Sequence, residues 1–153
     1  MVRAEIANSH HRRDWVLRTL YGDVLTNRRD PVIAVLGLAY KQDTHSTKNS
    51  PSLALLQHLA PYDVRVFDPV VAGEAVVHPR CYAARSESDA CDGADVLVVM
   101  TPWKQFGSLD PAQLATRMRG NTVVDPYSAL DARRCRAAGL RYITLGITPP
   151  EQA

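Results

Sequence analysis

The chain has 153 residues, of which 46% are hydrophobic and 22% charged, and its net charge is +2. This length fits one domain of ordinary size that needs neither a disulfide nor a metal to fold. The small charge and scattered arginines argue against a nucleic-acid partner, and no apolar run reaches the roughly 18 residues that suggest a membrane span.

The amino-terminal segment, residues 3–25, predicts a long helix. Its apolar stripe lies only in the second half, at positions such as Val16, Leu20 and Val24, whereas the first half is polar. So uneven a pattern is typical of a helix that packs partly against another domain or subunit. A short polar linker ending at Pro31 follows.

From Val32 onward, apolar runs of strand length alternate with helical segments. We predict strands at 32–36, 64–67, 81–84, 96–100, 121–124 and 142–147. One predicted helix begins at Pro51, and the others cover 86–91, 103–106, 111–118 and 131–138. This alternation favours an α/β fold, a Rossmann-like three-layer sandwich with a six-stranded, mostly parallel sheet of order 3-2-1-4-5-6, preceded by the long N-terminal helix. The ligand crevice is then expected at the carboxyl ends of strands 1 and 4.

Local signals mark several helix ends. Ser50 is a candidate N-cap before Pro51, and Ser86 or Ser88 is a candidate cap for the helix that follows. Gly139 is expected to end the last helix.

The loop after strand 1 is the most informative stretch. A dinucleotide site carries Gly-x-Gly-x-x-Gly at this point, but here Gly37 is followed by a polar insert with Lys41 and Lys48. The sheet is therefore not a standard NAD cradle. Lysines at the crevice are able to meet phosphates as point charges, while the alternative is a solvated loop whose lysines contact nothing.

Several motifs together carry a family resemblance. The loop reads VLGLAYKQDT from Val35, followed by Ser-Pro-Ser-Leu from Ser50. Further matches are Val-Phe-Asp-Pro ending at Pro69, Thr-Pro-Trp ending at Trp103 and Gly-Leu-Arg-Tyr ending at Tyr142. With Ile-Ala-Asn ending at Asn8 and the pair Arg12-Arg13 after it, this pattern resembles the UDP-glucose/GDP-mannose dehydrogenase family over roughly residues 4–147.

The resemblance implies a chemistry and a division into domains. Family enzymes oxidise the primary alcohol of a UDP- or GDP-sugar to a carboxylate by two hydride transfers to NAD, through a thioester on a cysteine. The resemblance also implies that residues 1–27 are the end of a helix from a central, dimer-forming domain. Residues 28–153 would then form the C-terminal nucleotide-sugar-binding domain. The expected partners are a nucleotide sugar and the rest of the dehydrogenase chain, in a full protein that is a homodimer.

The catalytic cysteine and the NAD fingerprint of the family belong to its other domains. Cys81, Cys91 and Cys135 match neither a metal pattern nor the family's cysteine, and we interpret them as reduced thiols of a cytoplasmic protein. We therefore expect no catalytic or metal-binding residue in this chain. NAD is expected to bind mainly to a domain outside it, so that the chain alone is inactive.

The resemblance transfers roles to individual positions. Lys41 matches a lysine that contacts the substrate, and Tyr40 matches an aromatic beside the crevice that either stacks on the base or covers the core. Asn8 matches a substrate-facing asparagine, with a plain helix-surface role as its alternative. Lys48 stands in place of an arginine that reaches the NAD pyrophosphate, and keeps the charge without the bidentate fork. Tyr127 replaces an arginine that contacts the substrate in the family.

Other side chains near the crevice have alternative interpretations. Asp68 follows strand 2, where NAD folds place a ribose-binding acid, but Pro69 after it is equally typical of a turn or cap. Trp103 and Phe106 are expected to anchor a helix to the sheet rather than contact a ligand.

The residues leave three functions open. The first is a part of a nucleotide-sugar dehydrogenase that supplies the substrate-binding wall of its active cleft. The second is a stand-alone, non-catalytic nucleotide-binding or interaction module. The third, a small Rossmann NAD protein, is disfavoured because the glycine fingerprint is missing.

Overall fold

Parallel strands form the centre of this computed structural model, which describes residues 2–26, 28–39 and 50–145, with the backbone alone for residues 2–10. The described residues contain six strands in one sheet: β1 (Val32–Leu36), β2 (Asp63–Phe67), β3 (Cys81–Ala83), β4 (Val96–Val99), β5 (Thr122–Val124) and β6 (Arg141–Ile143).

Helices precede and connect these strands. The α-helices are α1 (Val2–Leu20), α2 (Pro51–His58), α3 (Glu87–Cys91), α4 (Pro111–Arg117) and α5 (Ala132–Ala137). A π-helical segment, Tyr21–Leu25, extends α1, and short 3₁₀ turns occur at Gly73–Ala75 and Lys104–Ser108.

The strand order is β3-β2-β1-β4-β5-β6, and every neighbouring pair is parallel. The predicted order and fold class are therefore confirmed. Because crossovers between parallel strands are right-handed, the connections from β1 through β2 to β3 lie on one face of the sheet, and those from β3 through β4 and β5 to β6 lie on the other. Accordingly α1 packs on α2, whereas α3, α4 and α5 pack in sequence with one another.

Burial explains the composition of the strands. Every residue of β4 and residues Ile33 to Leu36 of β1 are inaccessible to solvent, because both faces of the central strands are covered. In β2, by contrast, buried and partly exposed residues alternate along the strand. The second half of α1 adds Val16 and Leu20 to the core, as its apolar stripe predicts.

Most predicted boundaries agree with the structure to within a residue or two, but the last strand is shorter than predicted. It ends at Ile143 rather than at residue 147, because β5 ends at Val124, the partner of Ile143, and offers no further backbone to pair with. Thr144 and Leu145 follow outside the ladder, and residues 146 and 147 lie outside the described part.

Two predicted helices have a different geometry from the one expected. The helix at 3–25 changes from α-helical to π-helical after Leu20. The short helix predicted at 103–106 is a 3₁₀ turn that begins at Lys104. Its backbone hydrogen bonds span three residues, from the Phe106 N–H to the Trp103 carbonyl and from the Leu109 N–H to the Phe106 carbonyl.

The helix-end signals are largely confirmed. Ser86 caps α3 by accepting a hydrogen bond from the Asp89 N–H. Gly139 follows α5 with φ +89°, a left-handed conformation that favours glycine. Ser50 is the exception: it occupies the N-cap position of α2, but its side chain makes no capping hydrogen bond.

Two negative findings concern the described residues. None of their helices is long and apolar enough to cross a bilayer. Within the same part of the chain, no cluster of three or more His, Cys, Asp or Glu side chains is arranged to hold a metal ion.

Candidate functional site

The carboxyl ends of β1 and β4 lie side by side at the point where the strand order reverses, which is where open α/β sheets bind ligands. Gly37 follows β1 with φ +103°, and a Cβ built on it would lie 2.5 Å from the backbone nitrogen of Thr101 after β4. Only glycine fits so close an approach. The two strand ends therefore form a continuous floor for the crevice.

Buried hydroxyl groups hold the chain that leaves β1. The Thr101 hydroxyl donates to the Ala39 carbonyl at 2.8 Å, and the Ser50 hydroxyl donates to the Leu38 carbonyl at 2.8 Å. The Ser52 hydroxyl donates to the Gly37 carbonyl. This network explains why Ser50 does not cap α2: its hydroxyl is bonded to the Leu38 carbonyl and holds Ser50 next to the chain that leaves β1.

Asp68, at the end of β2, organises the same edge. One carboxylate oxygen accepts hydrogen bonds from the backbone N–H groups of Leu38 (2.7 Å) and Ala39 (3.0 Å). The other accepts from the N–H groups of Val70 and Val71, both at 2.8 Å. Asp68 is only 6% exposed, so the turn-forming interpretation of this residue fits the structure, and both oxygens are already engaged within the fold.

These backbone contacts also change the acidity of Asp68. Burial opposes ionisation, but the hydrogen bonds from Val71, Leu38, Val70 and Ala39 outweigh it and hold the pKa of Asp68 below its ordinary value. The carboxylate is therefore charged at neutral pH without any cationic partner among its described contacts.

Trp103 joins the 3₁₀ turn after β4 to this network. It immediately precedes that turn in the chain. Its indole Nε1–H donates to the carboxylate of Asp68 at 3.0 Å, and its side chain is nearly buried. Phe106, three residues later, is fully buried. Both aromatic side chains thus anchor the turn to the sheet, as predicted.

A second buried carboxylate, Asp125, lies at the end of β5. It accepts hydrogen bonds from the backbone N–H groups of Tyr127 (3.1 Å) and Leu130 (2.9 Å). The Tyr142 hydroxyl donates to it at 2.7 Å. Burial, together with the nearby Asp125 charge, raises the pKa of Tyr142, so this phenol stays protonated and keeps its bond.

Helix α1 reaches this edge through a contact between Arg12 and Tyr127. The guanidinium carbon of Arg12 lies 4.9 Å from the centre of the Tyr127 ring, within the range of a cation–π interaction. The Nε atom of Arg12 is buried and has no hydrogen-bond partner in the described structure. The sequence did not indicate Arg12 as a site residue; its only signal was that the pair Arg12-Arg13 belongs to the N-terminal part of the family resemblance.

The predicted site residues fall in three groups. Tyr127 lies at the carboxyl edge of the sheet, beside Asp125. Asn8 lies on α1, one turn before Arg12, and its side chain is outside the described part. The third group, which lies outside the described residues altogether, contains Tyr40, Lys41 and Lys48.

The cysteines do not resemble reactive thiolates. Burial raises the pKa of Cys91 to about 12 and that of Cys135 to about 11, and both side chains are inaccessible to solvent. The pKa of the partly buried Cys81 is also raised by burial. A nucleophilic cysteine needs the opposite, a lowered pKa and access to the substrate.

The residues around α2 do not fit a dinucleotide cradle. Such a cradle places the pyrophosphate on free N–H groups at the start of the first helix. Here α2 begins at Pro51, which has no N–H, and the Ser50 hydroxyl is turned to the Leu38 carbonyl. The described edge is therefore organised for a different kind of contact.

A parallel sheet with this strand order and a crevice at its switch point defines a Rossmann-like α/β domain. The family model described as "UDP-glucose/GDP-mannose dehydrogenase family, UDP binding domain" matches residues 34–132, more than half of the chain. The chain therefore belongs to the UDP-glucose/GDP-mannose dehydrogenase family.

Individual relatives agree with this assignment. The UDP-glucose 6-dehydrogenase of Pseudomonas aeruginosa is 33% identical over 156 aligned positions, which cover 95% of this chain and 34% of that protein. The enzyme of the same name from Rickettsia conorii is 31% identical over 74% of this chain and 28% of that protein. The chain thus spans about a third or less of the length of these relatives.

A solved structure shares the fold. The UDP-D-ManNAc dehydrogenase of Pyrococcus horikoshii superimposes with a TM-score of 0.70 and 25% identity, over 90% of this chain and 30% of that one. The likeness extends beyond the residues matched by the family model.

Proposed function

We propose that this chain supplies the nucleotide-sugar-binding wall of the active cleft in an NAD-dependent nucleotide-sugar 6-dehydrogenase. The whole enzyme oxidises a UDP- or GDP-sugar to the corresponding uronic acid. The observation that carries the proposal is the network of buried hydroxyls and Asp68, which fixes Ala39 and Ser50 together at the carboxyl edge of β1.

The two lysines of the intervening segment are close to these fixed ends in sequence. Lys41 follows Ala39 by two residues, and Lys48 precedes Ser50 by two residues. In this proposal Lys41 neutralises the diphosphate or the forming carboxylate, and Lys48 contacts the NAD pyrophosphate as a point charge. The remaining contacts with the substrate come from Tyr40, Asn8 and Tyr127.

We further propose that the nucleophile and most of the NAD site belong to parts of the enzyme outside these 153 residues. The buried cysteines and the start of α2 at Pro51 support this division. The greater length of the relatives leaves room for both functions. In this proposal residues 1–27 belong to a central, dimer-forming domain, the complete protein acts as a homodimer, and this chain alone is inactive.

Calorimetry with UDP-glucose and GDP-mannose tests the proposal. The wild-type chain is expected to bind at least one of them, and Lys41→Ala to weaken that binding about tenfold, because a charge-assisted contact is lost. Thermal unfolding provides a second measurement, since ligand at 100 times its dissociation constant adds about 2.7 kcal/mol of stability. The same samples are expected to form no NADH when NAD is added.

Arg117→Ala is the matched control, because it also removes one positive charge. Arg117 pairs with Asp92 on the exposed surface near the amino edge of the sheet. It is expected to leave the affinity unchanged. Equal affinities for wild type and Lys41→Ala would remove Lys41 from the site, and the absence of any nucleotide-sugar binding would refute the proposal.

A further inference from the structure

The position of Arg12 suits a cation that binds a ligand. Its guanidinium stacks on Tyr127, which follows β5 at the carboxyl edge of the sheet. An aromatic ring under a guanidinium restrains the group while leaving its in-plane N–H donors available for an acceptor. The stacked pair therefore provides an oriented cation at the edge where ligands bind.

The hydrogen bonding of Arg12 is incomplete within the described structure. Its Nε atom is buried and lacks an acceptor. A buried donor without an acceptor carries a desolvation penalty, and the penalty is larger when the group is charged. A ligand oxygen that contacts the guanidinium group would offset that penalty.

The carboxylate beside Tyr127 forms no ion pair with Arg12 in the described structure. This carboxylate, Asp125, is occupied by the N–H groups of Tyr127 and Leu130 and by the Tyr142 hydroxyl. Several other arginines of the described residues form ion pairs with carboxylates, but no such pair involves Arg12 in that part of the chain. Its charge is therefore available to an anion from outside the fold.

We propose that Arg12 binds an anionic oxygen of the nucleotide sugar, with Tyr127 as the platform that orients it. This inference rests on the proposed function, and adds a specific anion-binding residue from α1. The anionic oxygen belongs either to the diphosphate, present in substrate and product alike, or to the carboxylate of the uronic acid product.

Arg12→Met tests the inference, because methionine retains much of the aliphatic packing but removes the charge. Calorimetry compares uridine, UDP, UDP-glucose and UDP-glucuronate, and the guanosine series if the wild type prefers it. With a diphosphate contact, affinity falls about tenfold for every phosphate-bearing ligand and is unchanged for the nucleoside. With a carboxylate contact, only UDP-glucuronate loses affinity.

Arg13→Met is the control, because it removes the same charge one position along α1, where the side chain pairs with Asp14. It is expected to bind all ligands as the wild type does. Arg12→Lys, which keeps the charge but not the planar stack, is expected to give an intermediate affinity and serves if Arg12→Met does not fold. Unchanged affinities in folded Arg12 variants would overturn the inference and leave the proposed function standing, whereas a wild type that binds no nucleotide would overturn both.

Discussion

The two edges of the sheet stabilise buried carboxylates by different means. At the carboxyl edge, Asp68 is surrounded by four backbone N–H groups and one indole N–H. At the amino edge, Asp95 accepts hydrogen bonds from Arg28 and Arg119 as well as from the Val32 N–H at 2.8 Å. One carboxylate is thus stabilised by backbone dipoles and the other mainly by arginine side chains.

This difference bears on where a ligand can bind. The arginines that contact Asp95 have their charge compensated within the fold. At the carboxyl edge the acids need no cation, and Arg12 forms no ion pair with a carboxylate among the described residues. Positive charge at that edge is available for an anionic ligand.

The largest effect on stability is expected for Asp68→Asn. An amide group in place of one carboxylate oxygen faces N–H donors and leaves at least two of them unsatisfied, which costs about 3 kcal/mol. Because the pKa of Asp68 is lowered in the folded state, its ionisation stabilises the fold above the unfolded-state pKa, and this contribution is lost as the pH falls through the folded-state pKa. Denaturant unfolding of wild type and variant, at neutral pH and in acid, measures both effects.

Asp92→Asn is the control for this measurement, because the Asp92 side chain pairs with Arg117 on the exposed surface. Its effect is expected to stay within about 0.5 kcal/mol. If the difference in unfolding free energy between wild type and Asp68→Asn does not shrink in acid, the charge of Asp68 is not what stabilises this edge.

A smaller loss of stability, about 2 kcal/mol, is expected for Asp95→Asn. The variant weakens the bonds to two arginines, but these side chains are 41% and 53% exposed and are able to turn to water. Because exposed charges are screened by salt, the destabilisation is expected to decrease between about 0.1 and 1 M NaCl. Equal salt sensitivity for Asp68→Asn and Asp95→Asn would remove the distinction between the two edges.

The smallest loss of stability is expected for Arg28→Gln. Arg119 still contacts both oxygens of Asp95, and an arginine whose side chain is 41% exposed adds little, so the loss should be about 0.5 kcal/mol. Chemical denaturation at low salt gives the best resolution for so small a change. A loss as large as that of Asp95→Asn would mean that Arg28, rather than Arg119, makes the main contribution to the stability of this edge.

Local patterns in the sequence predicted much of the architecture. The continuous apolar runs at Val32–Leu36 and Val96–Val99 became the central strands, since a strand covered on both faces favours such composition. Gly139 and Ser86 indicated helix ends because their effects act within a few residues. The loop motif indicated the family, which the family model confirms. The end of β6 was predicted too late, because the length of a strand depends on its partner as well as on its own residues.

The sequence by itself thus determined the order of elements, the parallel sheet and the family, because periodicity and capping act over short distances along the chain. Only the tertiary structure decided which polar groups meet. Arg12 contacts Tyr127, and Asp68 joins Leu38 to Trp103. These residues are too far apart in the sequence for any local pattern to encode their contacts. These contacts depend on how distant segments pack around the sheet, and for that reason the Arg12 contact was not predicted.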